Sequence, residues 1–483
     1  MPAAPLRVPA GQPPFAAAFA RVREELDVPA SFPPEVEAEA EALAARGPVL
    51  PPGAAATDRV DARDIPFVAV DPPGSRDLDQ AFHAERRGPG YRVRYAIADV
   101  AAFVHPGTAV DRESFQRGVT LYLPDGRAPL HPDALGEGAA SLLPGVERPA
   151  LLWTIDLDAA GGEEGATLRR ATVRSRAALG YPEVQARIDA GTAEEPLVLL
   201  REVGTRLRER EVDRGGVSLD LPTQEVVDAG GGGYALRYER PLAVEQWNEQ
   251  ISLLAGMAAA AVMIEAGAGL LRTLPPPPPE VLHRLERTAR ALGVAWPTGA
   301  TWGEVVRGLD RSRADDAAFL VQATHALRGA GYTVVGPGGA TTPAELVHAA
   351  VAAPYAHVTA PLRRLADRYA NEVVLAACAG TAPPEWVVAA LPELAGIMER
   401  TTARQGAVER AVVDAVECAV LAGHVGEAFA GVVVDRRRGG VVVQLARPAV
   451  VAPLAAEVAL GEEVRVRLAS VDPVDRRIEL VRL

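Results

Sequence analysis

The sequence predicts a mixed α/β protein with a short helical segment at its N-terminus and a small β-barrel at its C-terminus. Strand-like runs of β-branched and aromatic residues alternate with helical runs through the middle of the chain. The C-terminal part contains only short strands separated by turn residues, whereas the N-terminal part shows helical spacing alone. A length of 483 residues also favours more than one folding unit.

Residues 1–59 form the first predicted segment, which is rich in Pro and Ala. Its first helix is indicated by apolar residues at helical spacing, namely Phe15, Phe19, Val22 and Leu26. The stretch 34–47 predicts a second helix, because Pro and Glu lie at its start and Gly47 follows its end. The segment contains too few alternating strands to form a β-barrel.

Residues 60–422 form the predicted central unit. The runs "IPFVAVDPP", "YRVRYAIADVAAFV" and "LLWTIDLDAAGG" are typical of strands. Apolar periodicity predicts helices at 244–266 and 280–292, and helices dominate 361–422. This pattern indicates one large mixed α/β unit.

Residues 423–483 form the predicted barrel. The short strands "EAFAGVVVD", "GGVVVQLA", "EEVRVRLASVD" and "RRIELVRL" are separated by turn residues and favour a small closed barrel of the OB type. The tract "RRRGG" at 436–440 is expected to form a basic hairpin tip. By itself the tract favours a nucleic-acid contact only slightly over a solvated turn.

Composition limits the possible classes of function. The net charge of −13 argues against a protein that coats nucleic acid non-specifically, although all 50 basic residues are arginine, whose planar fork matches phosphate oxygens. Cys378 and Cys418 lie in Ala/Val-rich stretches, so we expect buried thiols and a cytoplasmic protein. No signal peptide is recognisable, and no apolar stretch is expected to span a bilayer.

The stretch "VDPPGSRDLDQAF" at 70–82 concentrates aspartates between two strand-like runs. In an extended segment Asp77 and Asp79 point the same way, and the Pro-Pro-Gly turn can fold Asp71 back toward them. Carboxylates brought this close repel one another unless a cation joins them, and hard oxygen ligands suit Mg²⁺ or Mn²⁺. Such an ion can promote phosphodiester hydrolysis. The alternative is an ordinary polar turn.

Several motifs in a fixed order resemble the ribonuclease II family, the hydrolytic exoribonucleases with an RNB domain. They are "DPPGSRDLDQA", "YAIADVAAFV", "RGVTLYLPDGRAPLHP", "ASLLPGVERPAL" and "YAHVTAPLRRLADRY". The resemblance covers roughly residues 60–420, and the terminal barrel corresponds to the family's OB-fold RNA-binding domain. It implies processive 3′→5′ hydrolysis of single-stranded RNA to nucleoside 5′-monophosphates with Mg²⁺, or with Mn²⁺.

The resemblance also implies roles for individual residues. Asp71, Asp77 and Asp79 correspond to metal-site carboxylates, of which Asp77 and Asp79 are also candidates for catalysis. Arg363 corresponds to an arginine that holds the scissile phosphate, and this role is chemically sensible because a guanidinium neutralises charge that develops there. Its neighbour Arg364 is a further RNA-binding candidate, although one of the two arginines can instead pair with Asp367.

Two more residues are implied to contact RNA. Tyr122 corresponds to a tyrosine that stacks near the 3′-terminal bases, and an aromatic face suits a sequence-tolerant enzyme. By itself, a tyrosine at this position would more often be a core residue. Glu249 corresponds to a glutamate that contacts the terminal nucleotide. Since it lies on a mostly apolar helix, we expect a buried acid that requires a partner.

The sequence departs from the family pattern in three ways. Gln80 stands where the family usually has a fourth aspartate, so it offers a metal only an uncharged carbonyl oxygen. Leu219 stands near the position of the family's second base-stacking aromatic residue. The two N-terminal cold-shock barrels are expected to be absent, with 1–59 in their place. We therefore expect weaker RNA binding and lower processivity.

Three functions remain open from the sequence. The leading hypothesis is a Mg²⁺-dependent 3′→5′ exoribonuclease that works as a monomer on single-stranded RNA, without an obligatory protein partner or a membrane. The alternative is a catalytically weakened RNB protein that binds RNA or a ribonucleoprotein, which Gln80 and the expected absence of cold-shock barrels favour. A metal hydrolase of small molecules is a third possibility, but it does not explain the presence of the C-terminal barrel.

Overall fold

The computed structural model describes residues 15–54, 59–219, 223–230, 233–310, 313–336, 339, 342–445 and 447–483. Its α-helices are α1 Phe15–Glu25, α2 Pro34–Arg46, α3 Ala109–Arg117, α4 Tyr181–Asp189, α5 Glu195–Asp213, α6 Ala243–Ala266, α7 Pro279–Ala291, α8 Trp302–Arg307, α9 Ala314–Ala323, α10 Leu365–Cys378 and α11 Glu385–Leu421. Its strands are β1 Val60–Ala62, β2 Val68–Asp71, β3 Gln80–Arg87, β4 Gly90–Ala98, β5 Leu121–Leu123, β6 Gly126–Ala128, β7 Glu147–Leu157, β8 Glu163–Arg174, β9 Ala177–Gly180, β10 Thr223–Gly230, β11 Gly233–Glu239, β12 Gly269–Thr273, β13 Gly331–Val335, β14 Val347–His348, β15 Ala353–Pro354, β16 Ala428–Arg437, β17 Gly440–Leu445, β18 Val451–Leu454, β19 Glu463–Asp472 and β20 Arg477–Arg482.

The central unit is built on a seven-stranded sheet in the order β1-β8-β7-β4-β3-β2-β9. Its inner pairs are antiparallel, and a parallel pair closes each edge. Tyr95 and Trp153 are register partners that enter one apolar cluster, whereas their neighbours Ala96 and Leu152 enter another on the opposite face. Because both faces are covered here, the segments 95–98 of β4 and 150–153 of β7 are apolar and buried throughout.

A buried ion network joins the sheet to α10. The fully buried guanidinium of Arg170 on β8 donates to Asp99 at 2.9 and 3.0 Å and to Glu372 on α10 at 2.6 and 2.8 Å. Arg59 makes a second ion pair with Asp99 at 2.9 Å. Buried carboxylates need such partners, so this network holds the middle of α10, at Glu372, against the sheet.

One helix within the described ranges, α6, is long and apolar enough to cross a bilayer by length and composition alone. The expectation that no such stretch exists is therefore wrong. Half of the apolar stretch of α6 is buried inside the protein, where Ile251, Leu254 and Met263 join the main apolar cluster. A core helix passes the same test, so the finding is weak evidence for a membrane span.

The C-terminal strands close into the predicted barrel, in the order β16-β17-β18-β20-β19. Alternate residues point inward, as in Val441, Val443 and Leu445 on β17. The expected basic hairpin tip is confirmed, because β16 ends at Arg437 and β17 begins at Gly440. The barrel packs against the central unit, since its buried valines join the main apolar cluster and Gln322 donates to the Val434 carbonyl at 2.9 Å.

The N-terminal helices are confirmed, and α1 contacts distant parts of the chain. Phe19 and Val22 are fully buried. Arg23 forms a two-bond ion pair with Asp125, at 2.6 and 2.9 Å, at the turn between β5 and β6. Glu25 pairs with Arg476 at the turn between β19 and β20. Helix α1 therefore connects the β5–β6 hairpin to the barrel.

Both cysteines are free thiols, as the sequence predicts, but only one is buried. Cys418 is buried on α11, whereas Cys378 is exposed at the end of α10. The expectation of two buried thiols is wrong for Cys378, because α10 is buried only as far as Ala376 and its last turn reaches the surface.

Candidate active site

The aspartate-bearing loop joins β2 to β3. Strand β2 ends at Asp71, and the chain turns through Gly74, whose φ of 85° favours glycine. The turn returns the chain so that Asp77 lies beside Asp71 on the wall of a cavity of about 470 Å³. Tyr122 and Arg363 line the same cavity. The structure thus brings together four of the residues that the sequence singled out.

Asp79 lies behind this wall and is bonded to a distant part of the chain. Its Oδ1 accepts the backbone N–H of Leu362 at 2.7 Å, and its Oδ2 accepts Nε of Arg363 at 3.0 Å. Asp79 is 2% exposed, whereas the Arg363 side chain is 42% exposed. The bond through Nε leaves the terminal guanidinium nitrogens able to face the cavity.

Burial shifts the pKa values of two of these carboxyl groups. It raises the pKa of Asp71 to about 6, with a further contribution from the charge of Asp77 and an opposing one from Arg363. It raises the pKa of Asp79 to about 8, against the stabilising effects of Arg363 and the Leu362 N–H. Both groups therefore lie in surroundings that disfavour negative charge unless a cation is near.

Tyr122 lies on the short β5–β6 hairpin, which is fixed to the segment before α10. The N–H of Thr120 donates to the carbonyl of Arg363 at 3.0 Å. The Tyr122 hydroxyl donates to Oδ2 of Asp77 at 2.8 Å. The residue is 48% exposed, so its ring is accessible from the cavity. The alternative of a core tyrosine does not fit this exposure.

The carboxylates of the cavity fit a divalent cation in part. Among the described residues, no three acidic, histidine or cysteine side chains are close enough to hold an ion together. The Asp71 carboxylate, however, has no hydrogen-bond partner in the described part of the chain and lines the cavity together with Asp77. Mg²⁺ commonly uses one or two carboxylates and completes its shell with water and substrate phosphate. Asp71 and Asp77 suit that arrangement.

Gln80 does not fit the expected role of a metal ligand. Its Nε2 donates to the carbonyl of Thr359 at 2.7 Å, and its Oε1 accepts the hydroxyl of Tyr95 at 2.5 Å. It is 8% exposed, so the amide is directed into the protein interior. The physical reason is positional: Gln80 and Ile97 are cross-strand partners, which puts Tyr95 diagonally beside Gln80 on the same face of the sheet.

Two other candidates lie away from the cavity lining. Arg364 pairs with Asp367 through two bonds of 2.9 and 3.0 Å, which is the structural role left open by the sequence. Leu219 packs against an apolar cluster that includes Val217 and Val305.

Glu249 lies on α6, as the sequence predicts, but the expectation that it is a buried acid is wrong. The residue is exposed, and its charge acts on the half-buried Tyr355. An exposed carboxylate requires no buried partner. The argument from a buried acid for a contact with the terminal nucleotide therefore does not apply to Glu249. The resemblance alone supports that role.

The structure adds three residues that sequence reasoning missed. Arg127 and Glu137 line the cavity and form an ion pair with each other. Tyr181, the first residue of α4, lies close enough to Asp71 for the aspartate charge to act on its hydroxyl, and burial raises the pKa of Tyr181 to about 12. Of the three, Arg127 alone lies in a motif given in the sequence analysis, "RGVTLYLPDGRAPLHP", and no local pattern marked Glu137 or Tyr181.

Comparison with known proteins identifies families for both the central unit and the barrel. A model of the RNB domain matches residues 59–380, and a model of the RNase II-type exonuclease C-terminal S1 domain matches residues 427–483. The exosome complex exonuclease RRP44 homolog A of Arabidopsis thaliana is 32% identical over 384 residues, which cover 75% of this chain and 40% of that protein. This chain thus spans less than half the length of that relative.

Two solved structures show the same fold at low sequence identity. The RNase R of Mycoplasma genitalium, in complex with ribose methylated single-stranded RNA, has a TM-score of 0.85 at 18% identity and covers 96% of this chain and 77% of its own. Yeast Ssd1, described as a pseudonuclease, has a TM-score of 0.72 at 16% identity and covers 96% of this chain and 58% of its own. A protein titled an RNase R and one titled a pseudonuclease therefore share this fold.

Proposed function

Because this chain belongs to the family of RNB-domain exoribonucleases with a C-terminal S1 domain, we propose that it hydrolyses single-stranded RNA from the 3′ end and releases nucleoside 5′-monophosphates. One observation carries the proposal. Asp71 and Asp77 share a cavity with Arg363, so groups able to hold a cation and a group able to hold a phosphate meet in one place.

Arg363 is the proposed ligand of the scissile phosphate. Hydrolysis requires a water oxygen to form a bond to phosphorus while the bond to the 3′-oxygen of the preceding nucleotide breaks, and negative charge accumulates on the phosphate oxygens. The partly exposed guanidinium can donate to those oxygens while its Nε stays bonded to the buried Asp79. Asp79 therefore fixes the direction of the guanidinium.

Asp71 and Asp77 are the residues that would hold Mg²⁺. When bound, the ion would activate a water molecule and neutralise charge on the phosphate. Asp71 must be ionised to serve as a ligand, and its pKa of about 6 makes this possible near neutral pH. The hydrogen bond from Tyr122 orients Asp77, and the exposed ring of Tyr122 can stack on a base near the 3′ end.

A timed digest of a 5′-labelled single-stranded RNA with Mg²⁺ tests the proposal. The expected result is a ladder of products shortened from the 3′ end. The variant Asp79→Asn keeps an acceptor for the Leu362 N–H but replaces the acceptor of the Arg363 Nε–H with an NH2 group, so Arg363 loses its orientation and hydrolysis should stop while RNA binding persists. Asp64→Asn, at an exposed aspartate before the same loop, is the matched control.

A catalytically weakened RNB protein is the second candidate. One observation favours it: Gln80 supplies no charge to the cavity. This candidate predicts RNA binding without a product ladder in either Mg²⁺ or Mn²⁺. A ladder that disappears in Asp79→Asn would exclude it.

A further inference from the structure

The β5–β6 hairpin presents an aromatic ring and a guanidinium side by side. Tyr122 on β5 and Arg127 on β6 are direct register partners, so their side chains leave the same face with Cβ atoms about 5 Å apart. Both side chains line the cavity, and both approach Asp77: the Tyr122 hydroxyl at 2.8 Å and Nη1 of Arg127 at 3.6 Å. One nucleotide can therefore reach both.

Acidic side chains hold the Arg127 guanidinium at the cavity wall. Its Nη2 donates to Asp133 at 2.7 Å and also pairs with Glu137, whose second oxygen contacts Arg76. The Asp133 side chain is 70% exposed, so this pair adds little energy. The Arg127 side chain is 20% exposed, and a guanidinium carries five N–H donors, more than these contacts use.

We propose that Arg127 binds a backbone phosphate of the RNA, the phosphate adjacent to the base that stacks on Tyr122. The inference rests on the proposed function and adds a substrate-binding residue to it. Arg363 would hold the scissile phosphate from one side of the cavity, and Arg127 would hold a neighbouring one from the hairpin. The planar fork of arginine suits this task, since phosphate oxygens can accept two parallel bonds.

RNA affinity measured without a metal separates phosphate binding from hydrolysis. We would record fluorescence anisotropy of a short 5′-labelled RNA in EDTA over a series of salt concentrations. Arg127→Gln should weaken binding about fivefold and reduce the slope of log affinity against log salt by about 0.7, the value for one phosphate of a single strand that the protein no longer neutralises. Arg127→Lys should keep the slope, because the ammonium still neutralises a phosphate.

Neutral methylphosphonate linkages, placed singly along the RNA, identify the phosphate. In the unmodified protein one linkage near the 3′ end should weaken binding, and Arg127→Gln should abolish the effect of that linkage alone. Arg23→Gln is the matched control, because Arg23 supports the same hairpin through Asp125 without lining the cavity. It should leave the slope and the linkage profile unchanged.

Two outcomes would overturn the inference, and only the second would also overturn the proposed function. If Arg127→Gln keeps both the salt slope and the linkage profile of the unmodified protein, Arg127 serves only to hold Asp77, and the proposed function is unaffected. If the unmodified protein binds no single-stranded RNA, the proposed function fails and this inference fails with it. Thermal melts of each variant confirm that it is folded before binding is measured.

Discussion

Replacing Gln80 with aspartate should cost stability and bring no gain in hydrolytic rate, because the Gln80 amide serves the protein interior. Aspartate cannot donate to the Thr359 carbonyl when ionised, and an unpaired buried acceptor costs about 1–3 kcal/mol. The shorter side chain also removes a buried methylene, worth about 0.8 kcal/mol. The expected loss in the free energy of unfolding is therefore about 2–4 kcal/mol at neutral pH.

The loss should depend on pH in a direction that identifies its cause. Gln80→Glu keeps the length of the side chain, and its protonated form can donate to Thr359 while still accepting from Tyr95. Burial favours the neutral carboxyl, so stability should be near that of the unmodified protein in acid and should fall as the group ionises with rising pH. Gln80→Asp should follow the same trend from a lower starting value.

Urea unfolding monitored by tryptophan fluorescence measures the midpoint for each variant in mildly acidic and in weakly alkaline buffer. Trp153, fully buried in the central sheet, reports on the relevant unit. The timed RNA digest is run in parallel with Mg²⁺ at saturating concentration. An unchanged midpoint together with a large gain in rate for Gln80→Asp would refute the reasoning, because it would place this side chain at the metal and not in the interior.

Three further predictions concern the site and its support. Arg363→Gln should reduce the single-turnover rate about 100- to 1,000-fold with a smaller change in RNA affinity, since the lost donor acts on charge developed during the reaction; an equal loss in both would indicate ground-state binding. Hydrolysis should increase between about pH 5 and pH 7 as Asp71, with a pKa of about 6, ionises and becomes able to hold a cation; a pH-rate profile that is flat at fixed Mg²⁺ contradicts this role. Arg170→Met should lower the free energy of unfolding by about 3–5 kcal/mol, because Asp99 and Glu372 stay buried with their main partner gone, and a midpoint in urea close to that of the unmodified protein would argue against the network.

The fold could be predicted from the sequence because its signals are local. The periodicity of Phe19 and Val22 predicts α1, and the β-branched runs predict the sheet and the barrel. The site was predicted less completely, because its contacts are not local. Gln80 finds its acceptor 279 residues further along the chain, and no spacing rule reaches that far. The exposure of Glu249 was missed for a related reason: an apolar helix has a surface side that composition does not reveal.

The bonds from Asp79 to Leu362 and Arg363 join positions 283 and 284 residues apart, and this distance along the chain also separates them in time. Synthesis proceeds at about 5–20 residues per second, so the first aspartates leave the ribosome on the order of 15–60 s before the arginine that faces them. A growing chain therefore carries an incomplete centre until Arg363 has been synthesised. If the protein degrades RNA as proposed, the messenger being translated is not exposed to a finished nuclease before that point.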